Sequence, residues 1–392
     1  MKNGKYLSDV LDTSLFNLGT MNIIVAPCGC GKTTAAINRI AALASSPHKA
    51  LFLIDTHNGN VRLAKNEALT MPYVFFPDCV RNPRFPSDEL QKEKIVVTTY
   101  AQFGVWVKHN PAFADFFEVI ICDEAHNISI FPNYGPQPNF GSFARDALCE
   151  AATCGKTLVV GMTATPEPLE KLACAQYVVP IDASQLRQYE NREVRSYASL
   201  PQTLEQIPHG KIGMLYVPHI TQMKECAAIA SAAGHKPICV WSLANTDHPM
   251  TEEQLAARQY ILEHEELPPQ YDLFIFNGSC ETSINIRGHI DYFIAHTASH
   301  TNLTQARGRY RGDLDMLYCF DREKGEIVVP EGFLDIQLFT DNKRELRARL
   351  GLKDEKGHPI PYGKLEVRLK DCGYTIESGR KDNSRFVVIR KE

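Results

Sequence analysis

The chain has 392 residues, which is enough for two or three domains of ordinary size. A hydrophobic fraction of 44% and a charged fraction of 22% exclude wholesale disorder and a fibrous protein. No apolar run approaches the roughly 18 residues that a membrane-spanning helix needs. The 12 cysteines include no CxxC pair, so they are typical of neither a disulfide scaffold nor a zinc finger. These features favour a reducing, cytoplasmic location.

The charge is distributed unevenly along the chain. The net charge of −4 by itself argues against a protein that coats nucleic acid. Residues 341–392, however, hold 14 Lys and Arg against 9 Asp and Glu, net +5, whereas the preceding residues hold 28 against 37, net −9. This asymmetry is typical of a basic appendage on an acidic catalytic body.

The first half alternates short apolar runs with amphipathic helical stretches. The predicted strands span residues 22–26, 50–54, 95–99, 119–122 and 157–162, with helices at 32–45 and 143–152. Each strand is continuously apolar, as expected where helices cover both faces of a sheet. The alternation therefore predicts stacked βα units around a parallel sheet.

The same alternation restarts after about residue 190 and predicts a second parallel sheet. Its predicted strands span residues 212–217, 237–241, 273–277 and 292–295, with helices at 220–233 and 252–265. Thr251 and Gln254 are spaced as a capping box for the second helix. Residues 180–199 are polar without a clear period, so we predict a linker there.

The tail beyond residue 340 has a third pattern. Helices are predicted at 343–350 and 362–372, followed by strands at 374–377 and 385–389 around a polar turn that contains Gly379. This order of two helices and a hairpin with a basic loop is the outline of a winged helix.

One motif directly follows the first strand. The sequence APCGCGKTT runs from Ala26 to Thr34 and leads into a helical pattern. Small residues at these positions let backbone N–H groups surround a polyphosphate beside the positive end of a helix. Lys32 would contact the β- and γ-phosphates, and Thr33 would offer a hydroxyl to Mg²⁺. The predicted nucleotide-binding residues are Pro27, Cys28, Gly29, Cys30, Gly31, Lys32, Thr33 and Thr34.

A second motif, Asp-Glu-Ala-His from Asp123 to His126, follows the buried strand at 119–122. A carboxylate at that strand end can hold the shell of a Mg²⁺ ion, which we assign to Asp123. Glu124 can then orient and deprotonate an attacking water. An acidic pair is more often a solvated surface, but the preceding strand is too apolar for a surface segment.

These two motifs resemble motifs I and II of superfamily 2 helicases and translocases of the DEAH type. The resemblance continues in chain order over roughly residues 20–320. Thr163 and Thr165 resemble motif III, Thr98 and Thr99 resemble strand-end threonines that touch a backbone phosphate, and Gly213–Pro218 is similar to motif IV. Residues 281–286 resemble motif V, with Ser283 where Gly is commoner, and residues 305–311 resemble motif VI.

The resemblance implies an α/β fold of two tandem RecA-like parallel-sheet domains, a P-loop NTPase, with a small α+β winged-helix-like domain after them. The predicted domains are 1–180, 190–335 and 340–392. It implies ATP and Mg²⁺ as cofactors, bound between the two lobes, with Asn285 and Gln305 also touching the nucleotide. It further implies that His126, Thr163 and Thr165 couple the nucleotide state to the grip on nucleic acid.

Motif VI departs from the family pattern, because position 312 is Gly and the last arginine, Arg311, comes one residue early. Loss of the γ-phosphate needs a cation that stabilises developing charge. Arg309 and Arg311 are the predicted pair, and which of them is the arginine finger stays open. Arg307 is predicted to lie on the surface or to touch nucleic acid.

The sequence thus predicts an ATP-dependent helicase or translocase, with DNA favoured over RNA as its partner. In the tail, the predicted phosphate contacts are Lys364, Arg368, Arg380 and Lys381, although a solvated basic surface explains them equally well. Two alternatives remain: a non-unwinding ATPase switch, such as a replication initiator or a defence-system subunit, and a P-loop kinase. The kinase does not need motifs V and VI.

Overall fold

A computed structural model describes residues 4–55, 57–76, 93–133, 138–243, 245–278, 284–297, 299–320, 329–352, 358–371, 374–381 and 384–391. The chain forms two compact units. Unit 1 comprises Met1–Glu190, Glu281–Arg287 and Arg307–Asp313. Unit 2 comprises Asn191–Cys280, Gly288–Ala306 and Leu314–Glu392. None of the described helices is long and apolar enough to cross a membrane.

Unit 1 is built on a parallel sheet in the order β3-β4-β2-β5-β6-β1-β7. Its strands are β1 (Met21–Val25), β2 (Ala50–Ile54), β3 (Tyr73–Phe76), β4 (Ile95–Thr99), β5 (Val119–Cys122), β6 (Leu158–Thr163) and β7 (Gln176–Val178). Its described α-helices are α1 (Leu7–Val10), α2 (Lys32–Ala35), α3 (His57–Ala64), α4 (Tyr100–His109), α5 (Asn127–Ile130) and α6 (Phe140–Cys154). Both faces of the sheet are covered.

Alternation along each strand divides the core of unit 1 into two layers. On β2, Leu51 and Leu53 belong to one hydrophobic cluster, and Ala50, Phe52 and Ile54 to the other. All five side chains are almost fully buried, which explains why this strand is apolar at every position. Burying each large apolar side chain stabilises the fold by about 1.5–3 kcal/mol.

Unit 2 contains a second parallel sheet, in the order β10-β11-β9-β12-β13-β8. Its strands are β8 (Asn191–Tyr197), β9 (Gly213–Tyr216), β10 (Pro237–Val240), β11 (Leu273–Phe276), β12 (Tyr292–Ala295) and β13 (Leu314–Phe320). The associated helices are α7 (Leu200–Gln206), α8 (Ile220–Ala232), α9 (Glu252–His264) and α10 (His300–Arg307), the last residue of which belongs to unit 1. The predicted capping box of α9 is confirmed, because the Thr251 hydroxyl and the Gln254 side chain each accept the other's backbone N–H.

A small α+β substructure completes unit 2. Helices α11 (Thr340–Leu350) and α12 (Tyr362–Asp371) pack with the antiparallel hairpin of β14 (Tyr374–Lys381) and β15 (Ser384–Lys391). These elements share a hydrophobic cluster that begins at Val329 and includes Phe333 and Leu338. The predicted fold class of two parallel α/β sheets and a small α+β region is therefore confirmed.

The predicted linker at 180–199 is wrong, because it contains strand β8. This strand pairs along its length with β13, from Asn191 opposite Leu314 to Tyr197 opposite Phe320. As the edge of its sheet, β8 has a strand on one side only, and its residues 192–196 are exposed. A charged edge strand lacks the continuous apolar pattern of buried parallel strands. For this reason the polar sequence of β8 was predicted to be a linker.

Two further predictions differ from the structure. The helix predicted at 32–45 is α-helical only over Lys32–Ala35 and continues as a π-helix over Ala36–Ile40 and a 3₁₀-helix over Ala41–Leu43. The turn predicted at Gly379 is wrong, because Gly379 lies within β14 opposite Phe386. The Phe386 ring covers the space where a side chain at position 379 would lie, so the aromatic neighbour accommodates a strand glycine.

His296, at the carboxyl end of β12, is a buried titratable group. Its Nδ1 lies 2.8 Å from the Tyr197 hydroxyl, and the two rings stack. Burial lowers the pKa of His296 to about 4. We expect the free energy of unfolding to fall as pH drops from about 6.5 toward 4. In this pH range His296 binds a proton in the unfolded chain but not in the folded chain.

Measured by urea unfolding, the His296 contribution to the free energy of unfolding should change by up to about 1.4 kcal/mol per pH unit between pH 6.5 and 4. His296→Gln should remove that part of the slope. Tyr197→Phe is the control, since it removes the hydrogen bond and keeps the titrating ring. Identical pH profiles for wild type and His296→Gln would contradict the assignment.

Candidate functional site

The conformation of the loop between β1 and α2 is fixed by two left-handed glycines and by backbone hydrogen bonds. Gly29 and Gly31 have φ of +84° and +85°, a conformation that favours glycine. The N–H of Ala26 donates to the Thr163 carbonyl over 2.9 Å, and the N–H of Leu7 donates to the Cys30 carbonyl over 2.8 Å. The loop is thus anchored at both ends.

Lys32 is a buried cation on this loop, with 8% of its surface exposed. Its ammonium donates to the carbonyls of Ala26 and Pro27 over 3.1 and 3.3 Å. Burial opposes the charged form, but the nearby acidic groups of Cys28 and Glu124 outweigh it and raise the pKa of Lys32. The side chain therefore carries a positive charge that two carbonyls only partly compensate.

The acidic pair follows β5 in a strained turn. The N–H of Asp123 donates to the Leu53 carbonyl, and the N–H of Glu124 donates to the Asp123 carboxylate over 3.2 Å. Glu124 has φ of +46°, which is rare for a residue with a side chain. Strained residues of this kind cluster at functional sites, where the surrounding structure enforces them.

His126 links the acidic turn to the end of β6. Its Nδ1 lies 3.0 Å from the Thr163 hydroxyl and 3.6 Å from a Glu124 carboxylate oxygen. The Thr163 hydroxyl also accepts the N–H of Thr165 over 3.0 Å. Burial lowers the pKa of His126, and the cations Lys32 and Arg309 lower it further against the opposing effect of Glu124. His126 is therefore neutral at pH 7.

These groups meet because of the strand order. Strands β5, β6 and β1 are adjacent in the sheet, and in a parallel sheet their carboxyl ends lie along one edge. That edge is the usual ligand-binding position of open α/β sheets. The structure thus brings together the predicted residues Lys32, Asp123, Glu124, His126 and Thr163.

The three arginines of residues 307–311 have different environments. Arg307 is buried, contrary to the predicted surface position, and donates to the carbonyls of Tyr310, Gly312 and Glu190. Its role is to hold the backbone of its own segment. Arg311 donates from Nε to the Asn285 side chain over 3.2 Å. A Cβ placed on Gly29 would lie 3.3 Å from Arg311 Nη1, so this guanidinium lies against the phosphate loop.

Arg309 is only 4% exposed, and its Nε has no hydrogen-bond partner among the described residues. It is close enough to His126 to lower the pKa of that ring. A buried guanidinium nitrogen without an acceptor is costly, and an anion at the site would remove the cost. Arg309 is therefore positioned near His126 to bind an anion.

The predicted phosphate contacts of Thr98 and Thr99 stay a prediction, and both side chains are buried in unit 1. Thr98 is fully buried, and its hydroxyl donates to the Phe76 carbonyl over 2.9 Å. Thr99 is 1% exposed, and its hydroxyl caps α4 by accepting the Gln102 N–H. Both hydroxyls thus already have hydrogen-bond partners within unit 1.

The remaining predicted residues are scattered. Gln305 is buried in α10 of unit 2, and Thr34 accepts a hydrogen bond from Asn66. Lys364 and Arg380 are exposed on α12 and β14. The side chains of Arg368 and Lys381 lie outside the described residues, as does Ser283 of the predicted motif V.

Sequence reasoning missed Tyr100, which supports the acidic turn. Its hydroxyl donates to the Asp123 carbonyl over 2.7 Å, and the side chain is 1% exposed. Burial raises the pKa of Tyr100 well above its ordinary value, so the hydroxyl keeps its proton and remains a donor. Tyr100 directly follows Thr98 and Thr99 at the end of β4, and this adjacency was the available signal.

The charged and polar side chains of the site are suited to bind a polyphosphate. Its cations Lys32, Arg309 and Arg311 suit phosphate oxygens. The half-buried Thr33 hydroxyl and Asp123 carboxylate are hard oxygen donors of the kind that Mg²⁺ prefers, so the residues fit that ion. Glu124 adds a carboxylate that can accept a proton.

Comparisons with known proteins agree with this architecture. Residues 11–168 match the family model described as Type III restriction enzyme, res subunit. A comparison with curated proteins gives no match. S. cerevisiae Dbp5 bound to RNA and ADP BeF3 is 11% identical, with a TM-score of 0.53 over 94% of this chain and 93% of that chain.

The Escherichia coli DEAH/RHA helicase HrpB is 15% identical, with a TM-score of 0.50 over 91% of this chain. This chain spans about half the length of that protein, 48%. At such identities the likeness shows the fold. The two parallel-sheet domains resemble the tandem RecA-like lobes of helicases, as predicted.

Tyr100→Phe tests the support of the acidic turn. We expect it to lower the free energy of unfolding by about 1–3 kcal/mol, because the buried Asp123 carbonyl loses a hydrogen bond. Tyr73→Phe is the matched control, since Tyr73 lies half-buried on β3. Equal stability of Tyr100→Phe, Tyr73→Phe and wild type in urea unfolding would show that the Tyr100 hydroxyl does not hold the turn.

Proposed function

We propose that the chain is an ATP-dependent helicase or translocase of nucleic acid, with ATP hydrolysed at the site of unit 1. The observation that carries this proposal is the gathering of three features at one sheet edge: a buried ammonium, a strained carboxylate turn, and a guanidinium nitrogen that has no partner among the described residues. The helicase-like match of residues 11–168 supports it. So does the similar fold of Dbp5, whose structure contains RNA and ADP BeF3.

Each side chain has a role in the proposed hydrolysis. Lys32 leaves its loop carbonyls and binds the β- and γ-phosphates. Thr33 and Asp123 hold Mg²⁺, which neutralises phosphate charge when bound. Glu124 accepts a proton from water as the water oxygen bonds to the γ-phosphorus and the bond to the bridging oxygen breaks, which releases ADP and phosphate.

We assign the arginine finger to Arg309 rather than Arg311. Arg309 lies close enough to His126 of the acidic turn to lower the pKa of that ring, whereas Arg311 donates from Nε to Asn285 and lies against Gly29. A cation that stabilises the transition state must be ready to accept developing charge. Arg311, which lies against Gly29, instead contributes to nucleotide binding.

The hairpin of β14 and β15 is the proposed contact with nucleic acid. Arg380 and Arg385 are directly opposite each other near its tip, and both are exposed. Like charges at such positions destabilise a hairpin. Among the described residues neither arginine has an ion pair, whereas Arg390, at the other end, pairs with Glu377 over 2.6 Å. A phosphodiester backbone would relieve the repulsion at the tip.

The proposed domains remain 1–180, 190–335 and 340–392, with the last of winged-helix type. The hydrophobic cluster of that last part begins at Val329, upstream of the proposed boundary. A deletion from residue 341 would therefore cut through a shared core. Point substitutions at the hairpin tip are the cleaner test.

An ATPase switch that does not unwind is the second candidate, because it would use the same residues. Displacement of a strand from a forked duplex during hydrolysis separates the two, since only the helicase performs it. A P-loop kinase needs no polynucleotide, so stimulation by nucleic acid argues against it.

Phosphate release with single-stranded DNA, duplex DNA and RNA as separate activators tests the function. We expect stimulation, strongest by DNA, and loss of about 10²–10⁴-fold in kcat for Glu124→Gln with nucleotide binding retained. Glu170→Gln is the control, because Glu170 is an exposed carboxylate of unit 1. Full activity of Glu124→Gln, or no stimulation by any polynucleotide, would contradict the proposal.

The double variant Arg380→Ala/Arg385→Ala tests the hairpin. We expect weaker duplex binding and a slope of log K against log salt that is shallower by about 2, since two phosphate contacts are lost. The unstimulated ATPase rate should be unchanged. Arg390→Ala is the control, because its guanidinium is already paired. An unchanged salt slope in the double variant would remove the hairpin from the interface.

A further inference from the structure

Strand β8 leaves one edge of the second sheet open. It has 7 residues, Asn191–Tyr197, and among the described strands it pairs with β13 alone. Residues 192–196 are exposed, and the central Val194 is 58% exposed although it lies opposite the buried Leu317. The outer backbone N–H and C=O groups of an open edge strand can form a ladder with a further strand.

The side chains at the centre of β8 carry opposite charges. Glu193 and Arg195 flank Val194, and residues two apart in a strand share a face of the sheet. Consistent with this, Arg195 Nε lies 2.5 Å from a Glu193 carboxylate oxygen. The acidic and the basic position are therefore equally distant from Val194 along the strand. An antiparallel copy of the same strand would present the opposite charge at each of the two positions.

Geometry limits how two copies of β8 can pair. Identical edges pair antiparallel about a two-fold axis, so that every contact occurs twice. Along a strand, the backbone groups of every second residue point to the same edge. Hydrogen-bonded partners are therefore an even number of positions apart, and the axis passes through a residue that lies opposite its own copy.

Only one position of the axis within 192–196 brings opposite charges together. With Val194 at the axis, Glu193 of each copy lies opposite Arg195 of the other. An axis at Glu193 or Arg195 instead places two like charges at the centre, which is destabilising. An axis at Arg192 also places two arginines there. An axis at Ser196 gives Glu193 no basic partner.

We propose that β8 is a homodimer interface, in which it pairs antiparallel with β8 of a second copy about a two-fold axis at Val194. The two 6-stranded sheets then form one continuous sheet. Charges on an edge strand ordinarily prevent association. Here they disfavour the registers centred on a charged residue and favour the one centred on Val194. Because each copy contributes a single strand, the interface is small and the dimer is weak, with a Kd that is roughly micromolar.

Sedimentation equilibrium of the full chain tests the interface. Wild type should dimerise reversibly between about 1 and 100 µM. Glu193→Arg and Arg195→Glu each create two pairs of opposed like charges, so each variant alone should weaken the dimer roughly 10- to 100-fold. An equimolar mixture of the two variants should associate as wild type does, because the arginines of one chain then lie opposite the glutamates of the other.

The double variant Glu193→Arg/Arg195→Glu should also dimerise as wild type does, since both opposed pairs are restored with their signs exchanged. Glu205→Arg is the matched control, because Glu205 is an exposed carboxylate on α7, and it should leave dimerisation unchanged. Rescue by mixing excludes misfolding as the cause of the weakening, since two misfolded chains do not restore a specific dimer.

Three results would overturn the proposal. One is a wild type that stays monomeric over the whole concentration range. Another is a wild-type dimer that neither Glu193→Arg nor Arg195→Glu weakens, which would place the interface elsewhere. The last is a pair of weakened variants that do not associate when mixed, because charge pairing across β8 would then not be the cause of the dimer.

Discussion

The burial of the Lys32 ammonium is the constraint on which the candidate site depends. A buried cation must be compensated, and here two loop carbonyls and the neighbouring acidic groups do so. The compensation is possible only because the parallel strands β5, β6 and β1 are adjacent and end along one edge. The sheet order therefore positions the charges, and the left-handed glycines Gly29 and Gly31 give the loop a backbone shape that a residue with a side chain rarely adopts.

Hydrogen bonds through Thr163 connect the parts of this edge. Its carbonyl receives the first N–H of the phosphate loop, and its hydroxyl faces His126 and Thr165. Two hydrogen bonds through Thr163, one to Ala26 and one to His126, thus connect the phosphate loop with the acidic turn. The positive φ of Glu124 and the Tyr100 hydroxyl beneath Asp123 show that this turn is held in a specific, costly shape.

Local sequence patterns predicted the central strands of the two sheets. They did not predict contacts between segments that are far apart in the sequence. Strands β2, β4, β5 and β12 were predicted with their observed bounds, because continuous burial leaves a continuous apolar signal. Strand β8 was missed because a polar edge strand has no such signal. The burial of Thr98 depends on β3, and the contact of Tyr6 with Arg187 joins residues 181 positions apart, so neither follows from local spacing.

The net charge of −4 is likewise a poor guide to the site, because it does not distinguish buried cations from exposed ones. The central claim is that Lys32 and Arg309 are held for one triphosphate. A crystal structure with Mg²⁺ and AMP-PNP tests it most directly. We expect both cations to lie within hydrogen-bonding distance of the γ-phosphate, with Lys32 released from the Ala26 and Pro27 carbonyls. A nucleotide bound elsewhere, or a γ-phosphate that Arg309 does not contact, would contradict it.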